Sequence, residues 1–158
     1  MKLRITNVTP KDVPTVIRLM REFAAFENLI DHFEITEDRL NSVMFDDNAF
    51  VEGLIPLDDV DPIGYALFFP YFASFRGQRG MYLEDIYIRA DHRGKGVGEA
   101  MLREIARIGT ERGCERIDFM VLDRNTPAVK FYEKLGAIRD DDERHFKFVD
   151  SAFKALAS

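Results

Sequence analysis

The sequence predicts a mixed α/β fold, a sheet with helices on both of its faces, from three observations. Strand-type alternation and helical apolar spacing follow one another as strand, two helices, three strands, helix, strand, helix, two strands. Asp58, Asp59 and Asp61 between Pro56 and Pro62 make a tight polar turn that joins two alternating segments, the signature of an antiparallel hairpin. No repeat, low-complexity tract or linker divides the 158 residues, so residues 1–158 read as one domain with a sizeable core.

Leu3 to Val8 reads as the first strand, with Leu3 and Ile5 alternating. Thr9 is a good N-cap, Pro10 suits a first helical position and Asp12 lies in the first turn. Val16, Ile17, Leu19, Met20, Phe23 and Ala24 then form an apolar stripe to about Phe26. Glu27 to Glu34 has neither period and reads as a loop. Thr36 opens a short helix ending near Phe45. Ala49 to Pro56 and Pro62 to Phe72 are the hairpin strands, the latter with Ile63, Tyr65, Leu67 and Phe69 on one face. Phe72 to Gly80 reads as a polar connection into a strand over Tyr82 to Ile88, and a helix runs from Glu99 to Arg112. Arg116 to Leu122 is a strand. Thr126 as N-cap and Pro127 as first residue start a helix that Gly136 stops. Ala137 to Asp140 and Glu143 to Asp150 fit two closing strands, and Ser151 to Ser158 a short helical turn.

Net charge is 22 minus 28, or −6, which argues against nucleic acid and suits a cationic substrate. No apolar run approaches the ~18 residues of a membrane span, and the N-terminus lacks a signal-peptide apolar region. Cys114 is the only cysteine, so no internal disulfide forms and a reducing cytoplasm is the simplest setting. Between Gly113 and Glu115, that cysteine reads as a bystander.

The chemistry concentrates in Tyr82 to Glu99. A strand interrupted by two carboxylates, Glu84 and Asp85, runs into Arg93-Gly94-Lys95-Gly96-Val97-Gly98 and then a helix. Glycines let backbone approach a ligand closely, and the first N–H groups of a helix attract an anion. With Arg93 and Lys95 in the same loop, it reads as a pyrophosphate cradle; the alternative is a flexible turn without a ligand. The Walker pattern fails because Gly96, not Ser or Thr, follows Lys95. The dinucleotide fingerprint fails because Glu99 stands where its third glycine belongs.

The arrangement [Q/R]-x-x-G-x-[G/A] fits as Arg93, Gly96 and Gly98, and resembles the acetyl-CoA signature of the GNAT family of N-acetyltransferases. A second block, Asn125 to Ala137, matches that family's N-x-x-A-x-x-F-Y-x-x-x-G-[FA] hallmark. The resemblance covers nearly the whole chain. It implies the GNAT fold, a twisted, mostly antiparallel sheet of about seven strands with about four helices on both faces. It implies acetyl-CoA as cosubstrate, no metal, and a homodimer to which Phe146, Phe148 and Phe153 give apolar material.

Acetyl transfer from a thioester needs a neutral amine, a stabilised oxyanion and a proton for the departing thiolate. A tyrosine with pKa near ~10 can donate to a thiolate, and the resemblance makes Tyr132 that acid rather than a core aromatic. It implies that Asn125 hydrogen-bonds the cofactor, and that the backbone of Ile86 and Ile88 pairs with the pantetheine arm like an added strand.

Glu84 and Asp85 point to opposite faces of a regular strand. One of them can relay a proton through water and the other bind a second cationic group. Y-L-E-D-I-Y-I looks like the spermidine/spermine N-acetyltransferase branch, which implies Glu84 as base and Asp85 as substrate ligand. Glu27, Asp31 and Glu34 resemble that branch's acidic substrate loop, with solvated surface charge as the alternative, and His32 reads as a surface residue. The chain departs from the branch by Arg124 in place of a tryptophan and by Glu143-Arg144-His145-Phe146 near the end. A diamine, a lysine analogue such as thialysine, or another small primary amine therefore remain open as acceptor. A peptide amine acetyltransferase and a non-catalytic acetyl-CoA-binding domain are the alternatives.

Overall fold

The computed structural model describes residues 1–158, which divide into two compact units, 1–120 and 121–158. In the first, strands β1 (Leu3–Asn7), β2 (Glu52–Asp58), β3 (Asp61–Pro62), β4 (Gly64–Ala73), β5 (Gln78–Ile88) and β6 (Arg116–Phe119) form one six-stranded sheet. The order is β1-β2-β4-β5-β6, with β3 beside β2. All pairings are antiparallel except β5 with β6.

Helices α1 (Val13–Phe26) and α2 (Glu37–Phe45) share one core, burying Val16, Leu19, Leu40 and Met44 with Ile55, Tyr65, Leu67 and Tyr87 of the sheet. α3 (Val97–Glu111) shares the other core. Its Val97, Met101 and Ile105, spaced four apart, meet Leu54, Ala66, Phe68, Met81 and Leu83. Local chemistry sets the helix starts. The Thr9 N–H and hydroxyl both donate to the Asp12 carboxylate at 2.8 Å, and the Thr36 hydroxyl accepts from the Arg39 N–H at 3.2 Å.

The second unit holds α4 (Thr126–Lys134) and α5 (Asp150–Ala157). Asn125, not Thr126, caps α4: its side-chain oxygen accepts from the Ala128 N–H at 3.3 Å. The expected seven strands and four helices become six and five: the two closing strands do not form, the two-residue β3 is an added short strand, and the tail forms a helix. Residues 137–149 alternate plausibly but make no ladder, and a strand without ladder partners leaves its backbone groups unmet. The tail is instead a full helix, α5.

Three further boundaries differ. β5 begins at Gln78 rather than Tyr82, so the expected polar connection shrinks to the turn at Ser74–Gly77. β2 covers Glu52–Asp58. Ile63 sits between β3 and β4, where the strand breaks, and joins the α3 core rather than the face of Tyr65 and Leu67.

Candidate active site

Past Ile88 the chain makes a short turn at Ala90–His92 and enters Arg93–Gly98. Gly96 is the N-cap of α3 and has φ of 81°, a left-handed conformation that strains any side chain. Gly94 has φ of 72°. A Cβ built on either glycine meets nothing within 4 Å, so the outer side of this backbone is open. No side chain caps the first turn of α3, a helix of 15 residues. Its leading N–H groups and dipole therefore face that open side, while Val97 anchors the turn in the core. The backbone fits an anionic diphosphate.

Lys95 is exposed in this loop, but the Arg93 side chain turns back from it. Its Nε donates to the Ile88 carbonyl at 2.8 Å, and its guanidinium lies 4.1 Å from the Phe26 ring centre and 5.5 Å from that of Tyr87. Arg93 thus ties the loop to β5 and to the end of α1. At the head of the loop, His92 stands 3.0 Å from Asp91 and 3.5 Å from Asp58, a strap back to β2.

β5 offers a strand edge beside the loop. The Arg89 N–H donates to the Ile63 carbonyl at 2.9 Å, so Tyr87 and Asp85 turn their backbone groups toward β4 while Ile86 and Ile88 turn theirs away. On that far side the pairing with β6 ends at Leu83 and Phe119. Apart from the Ile88 carbonyl, which accepts from Arg93, the backbone of Ile86 and Ile88 is consequently an open edge suited to an extended, amide-bearing chain.

The ladder between β4 and β5 slips where β6 pairing ends. Leu67 faces Asp85 and Phe68 faces Leu83, so Glu84 is the extra residue of a bulge. The bulge switches which face the odd-numbered residues take. Met81 and Leu83 enter the α3 core, whereas Asp85 and Tyr87 lie on the α1 side. Glu84 is left exposed. Asp85 is partly buried and accepts a hydrogen bond from the Tyr65 hydroxyl at 2.8 Å. Burial pushes its carboxyl up to about 6; the Tyr65 hydrogen bond works against that rise and the Glu84 charge adds to it. The Tyr65 hydroxyl is itself raised well above its usual range by burial, then by Asp85. Phe23 stacks on Tyr87 at 5.3 Å, and the Tyr87 hydroxyl reaches Glu22 at 3.5 Å. Aromatic faces and carboxylates together suit a cationic guest.

A glycine turn on a helix start, an open strand edge and a carboxylate bulge thus lie within fifteen residues, 84–98. The Acetyltransferase (GNAT) family model matches residues 16–137. The chain belongs to the GNAT family of acetyltransferases. It is 33% identical to the thialysine N-epsilon-acetyltransferase of Sus scrofa, with 92% of each chain covered. It is 29% identical to the L-ornithine N5-acetyltransferase of Arabidopsis thaliana, covering 97% of this chain and 87% of that one. An integron cassette protein from the mobile metagenome of V. cholerae superposes with a TM-score of 0.79 at 23% identity, covering 99% and 98%, which shows the shared fold. The chain is accordingly an N-acetyltransferase of GNAT type, in the thialysine and spermidine/spermine branch.

Other residues singled out from the GNAT motifs divide between the units. Glu27 is buried at the C-terminal end of α1, its N–H donating to the Phe23 carbonyl, whereas Asp31 is exposed in the turn that follows. Burial makes Glu27 a poor candidate for the solvated charge that the sequence also allowed. In the second unit Tyr132 lies on α4, edge-on to Phe131 at 5.2 Å. Burial pushes its phenol up to about 12, so it keeps its proton throughout the neutral range. Sequence reasoning missed the partnership of Tyr65 and Asp85. The available signal was a tyrosine at a core-facing strand position, where a buried hydroxyl needs a polar partner. No helix is long and apolar enough to cross a membrane.

Proposed function

We propose that this GNAT enzyme moves the acetyl group of acetyl-CoA to a primary amine of a small cationic substrate, of polyamine or lysine-analogue type, by direct attack in a ternary complex. One observation carries the reading: the open N-terminus of α3 and the carboxylate bulge of β5 flank the same free strand edge. A cosubstrate with a diphosphate at one end and an amide-bearing arm matches the helix start and the strand edge, and an amine matches the carboxylate bulge.

In this reading the N–H groups of Gly94 to Gly98, with Lys95, hold the diphosphate, and Ile86 and Ile88 hold the arm. Arg93 acts through the loop it braces. Glu84, exposed on the bulge, takes the proton of the incoming ammonium through water, and Asp85 binds the cationic chain. Tyr132 protonates the departing thiolate, and Asn125 starts the helix that bears it. Glu27 and Asp31 extend the acidic character of the acceptor side. The names of the relatives in pig and Arabidopsis support a diamine-like acceptor. The single-domain organisation, a homodimer built on the exposed Phe146, Phe148 and Phe153, and a cytoplasmic setting complete the proposal.

The test is thiol release from acetyl-CoA, scanned over spermidine, spermine, putrescine, thialysine, ornithine, lysine and a lysine peptide. Turnover with the small diamines or lysine analogues is expected. Turnover with the peptide alone, or with none, contradicts the reading. Tyr132→Phe should keep affinity for CoA and lower turnover by about 100-fold or more; unchanged turnover removes Tyr132 from the mechanism.

A further inference from the structure

Tyr65 has an aromatic ring in a core otherwise made of aliphatic and aromatic carbon, with none of its surface exposed, yet its hydroxyl ends on a carboxylate. The ring is wedged by Phe23 at 6.5 Å and by Tyr87 at 6.3 Å, so the hydroxyl has one place to be. That place is 2.8 Å from Asp85 Oδ2, one residue beyond the bulge that brings the carboxylate to this face. A phenol serving packing alone needs no hydroxyl here, because phenylalanine fills the same space. We propose that Tyr65 is a positioning residue for the acceptor side of the reaction: it fixes the orientation of the Asp85 carboxylate and favours its ionised form, so that a cationic amine is bound. The inference rests on the acetyl-transfer reading, in which Asp85 is the amine ligand.

The charged and titratable groups around the pair favour this role. From β5, the Glu84 charge opposes ionisation of Asp85. Tyr87 carries its own hydroxyl toward Glu22 of α1, and the Arg93 guanidinium lies over the Tyr87 ring. α2 contributes the apolar Leu40, Val43 and Met44 to this core. Among these, the Tyr65 hydrogen bond is the contact that acts directly on Asp85 to favour its charge, against burial that has moved the carboxyl to about 6. Without the hydroxyl, the carboxyl titrates at higher pH and a larger share of the enzyme is neutral there near neutrality.

The experiment uses the full chain labelled with 13C at aspartate carboxyls, as wild type, Tyr65→Phe, Asp85→Asn and the double variant. Asp85→Asn assigns the Asp85 resonance by its loss. In Tyr65→Phe that resonance should titrate at higher pH, and the acid limb of kcat/KM for the amine should move up with it. KM for acetyl-CoA should stay within about twofold. In the Asp85→Asn background, removing the Tyr65 hydroxyl should change kcat/KM for the amine no further. An unmoved resonance, an unmoved acid limb, or losses that simply multiply in the double variant would overturn the proposal. Should Tyr65→Phe fail to fold, the 13Cζ resonance of Tyr65 followed through the pH titration of wild type decides it: a step that tracks the Asp85 carboxyl and moves with saturating amine supports the role, and no step removes it. A wild type that turns over no amine sinks the acetyl-transfer reading and this inference together; turnover with an unmoved limb sinks only the inference.

Discussion

Residues 1–120 and residues 121–158 have similar hydrophobic vocabularies and use them in opposite ways. Every buried side chain belongs to the first unit, where Leu19, Tyr65, Met101 and Ile105 are fully enclosed. In the second, Ile138, Phe146, Phe148, Phe153 and Leu156 stand exposed, and neither helix has a buried residue. The first unit is organised by a sheet whose two faces each demand a cover. The second contains no strand of its own, and its helix α4 begins on the Asn125 cap. Position on a ladder, more than apolar content, decides what is core.

That contrast yields predictions of descending size. Leu19→Ala empties space in the core under α1 and should lower unfolding free energy by about 3–5 kcal/mol, read by denaturant titration. Gly64→Ala should follow, at about 2–3 kcal/mol, because its Cβ would collide with the Tyr87 carbonyl oxygen, where two backbones meet. Asp85→Asn should show its effect as a slope. A carboxyl held at about 6 when folded, against an ordinary 3.8, contributes stability at low pH that is lost as pH rises toward 6. The variant lacks that loss, so its stability relative to wild type should climb by up to about 2 kcal/mol between pH 4 and 7. Phe153→Ala, in the second unit, should stay within about 0.5 kcal/mol when measured on the dissociated monomer. A large Phe153 effect in the isolated chain would show that the contrast is misdrawn.

The same contrast explains what was legible in the sequence. α1, α2 and α3 announced themselves by Val16–Leu19, Leu40–Met44 and Met101–Ile105 spacing, because each covers a sheet face. The glycine turn was legible because glycine takes a left-handed φ such as the 81° at residue 96 without the strain a side chain adds. The closing strands were misread because alternation at Phe146 and Phe148 records a pattern, and a strand also needs a partner. The bulge at Glu84 was hidden for a related reason. A register slip depends on the neighbouring strand, so a uniform two-residue period placed Glu84 and Asp85 without showing which of them Tyr65 would hold. The Arg93 brace was likewise invisible, since it depends on Phe26 reaching the loop from a distant helix.

Equilibrium dialysis of labelled acetyl-CoA against wild type and Gly96→Ala tests the central claim most directly. A methyl at residue 96 meets no neighbour but cannot sit comfortably at that φ, so it disturbs the loop while leaving the cores intact. Saturable binding by wild type, one cosubstrate per chain, with affinity at least about tenfold weaker in the variant, is the result expected. No retention by wild type, or equal retention by the two proteins, would contradict an acetyl donor held at the start of α3.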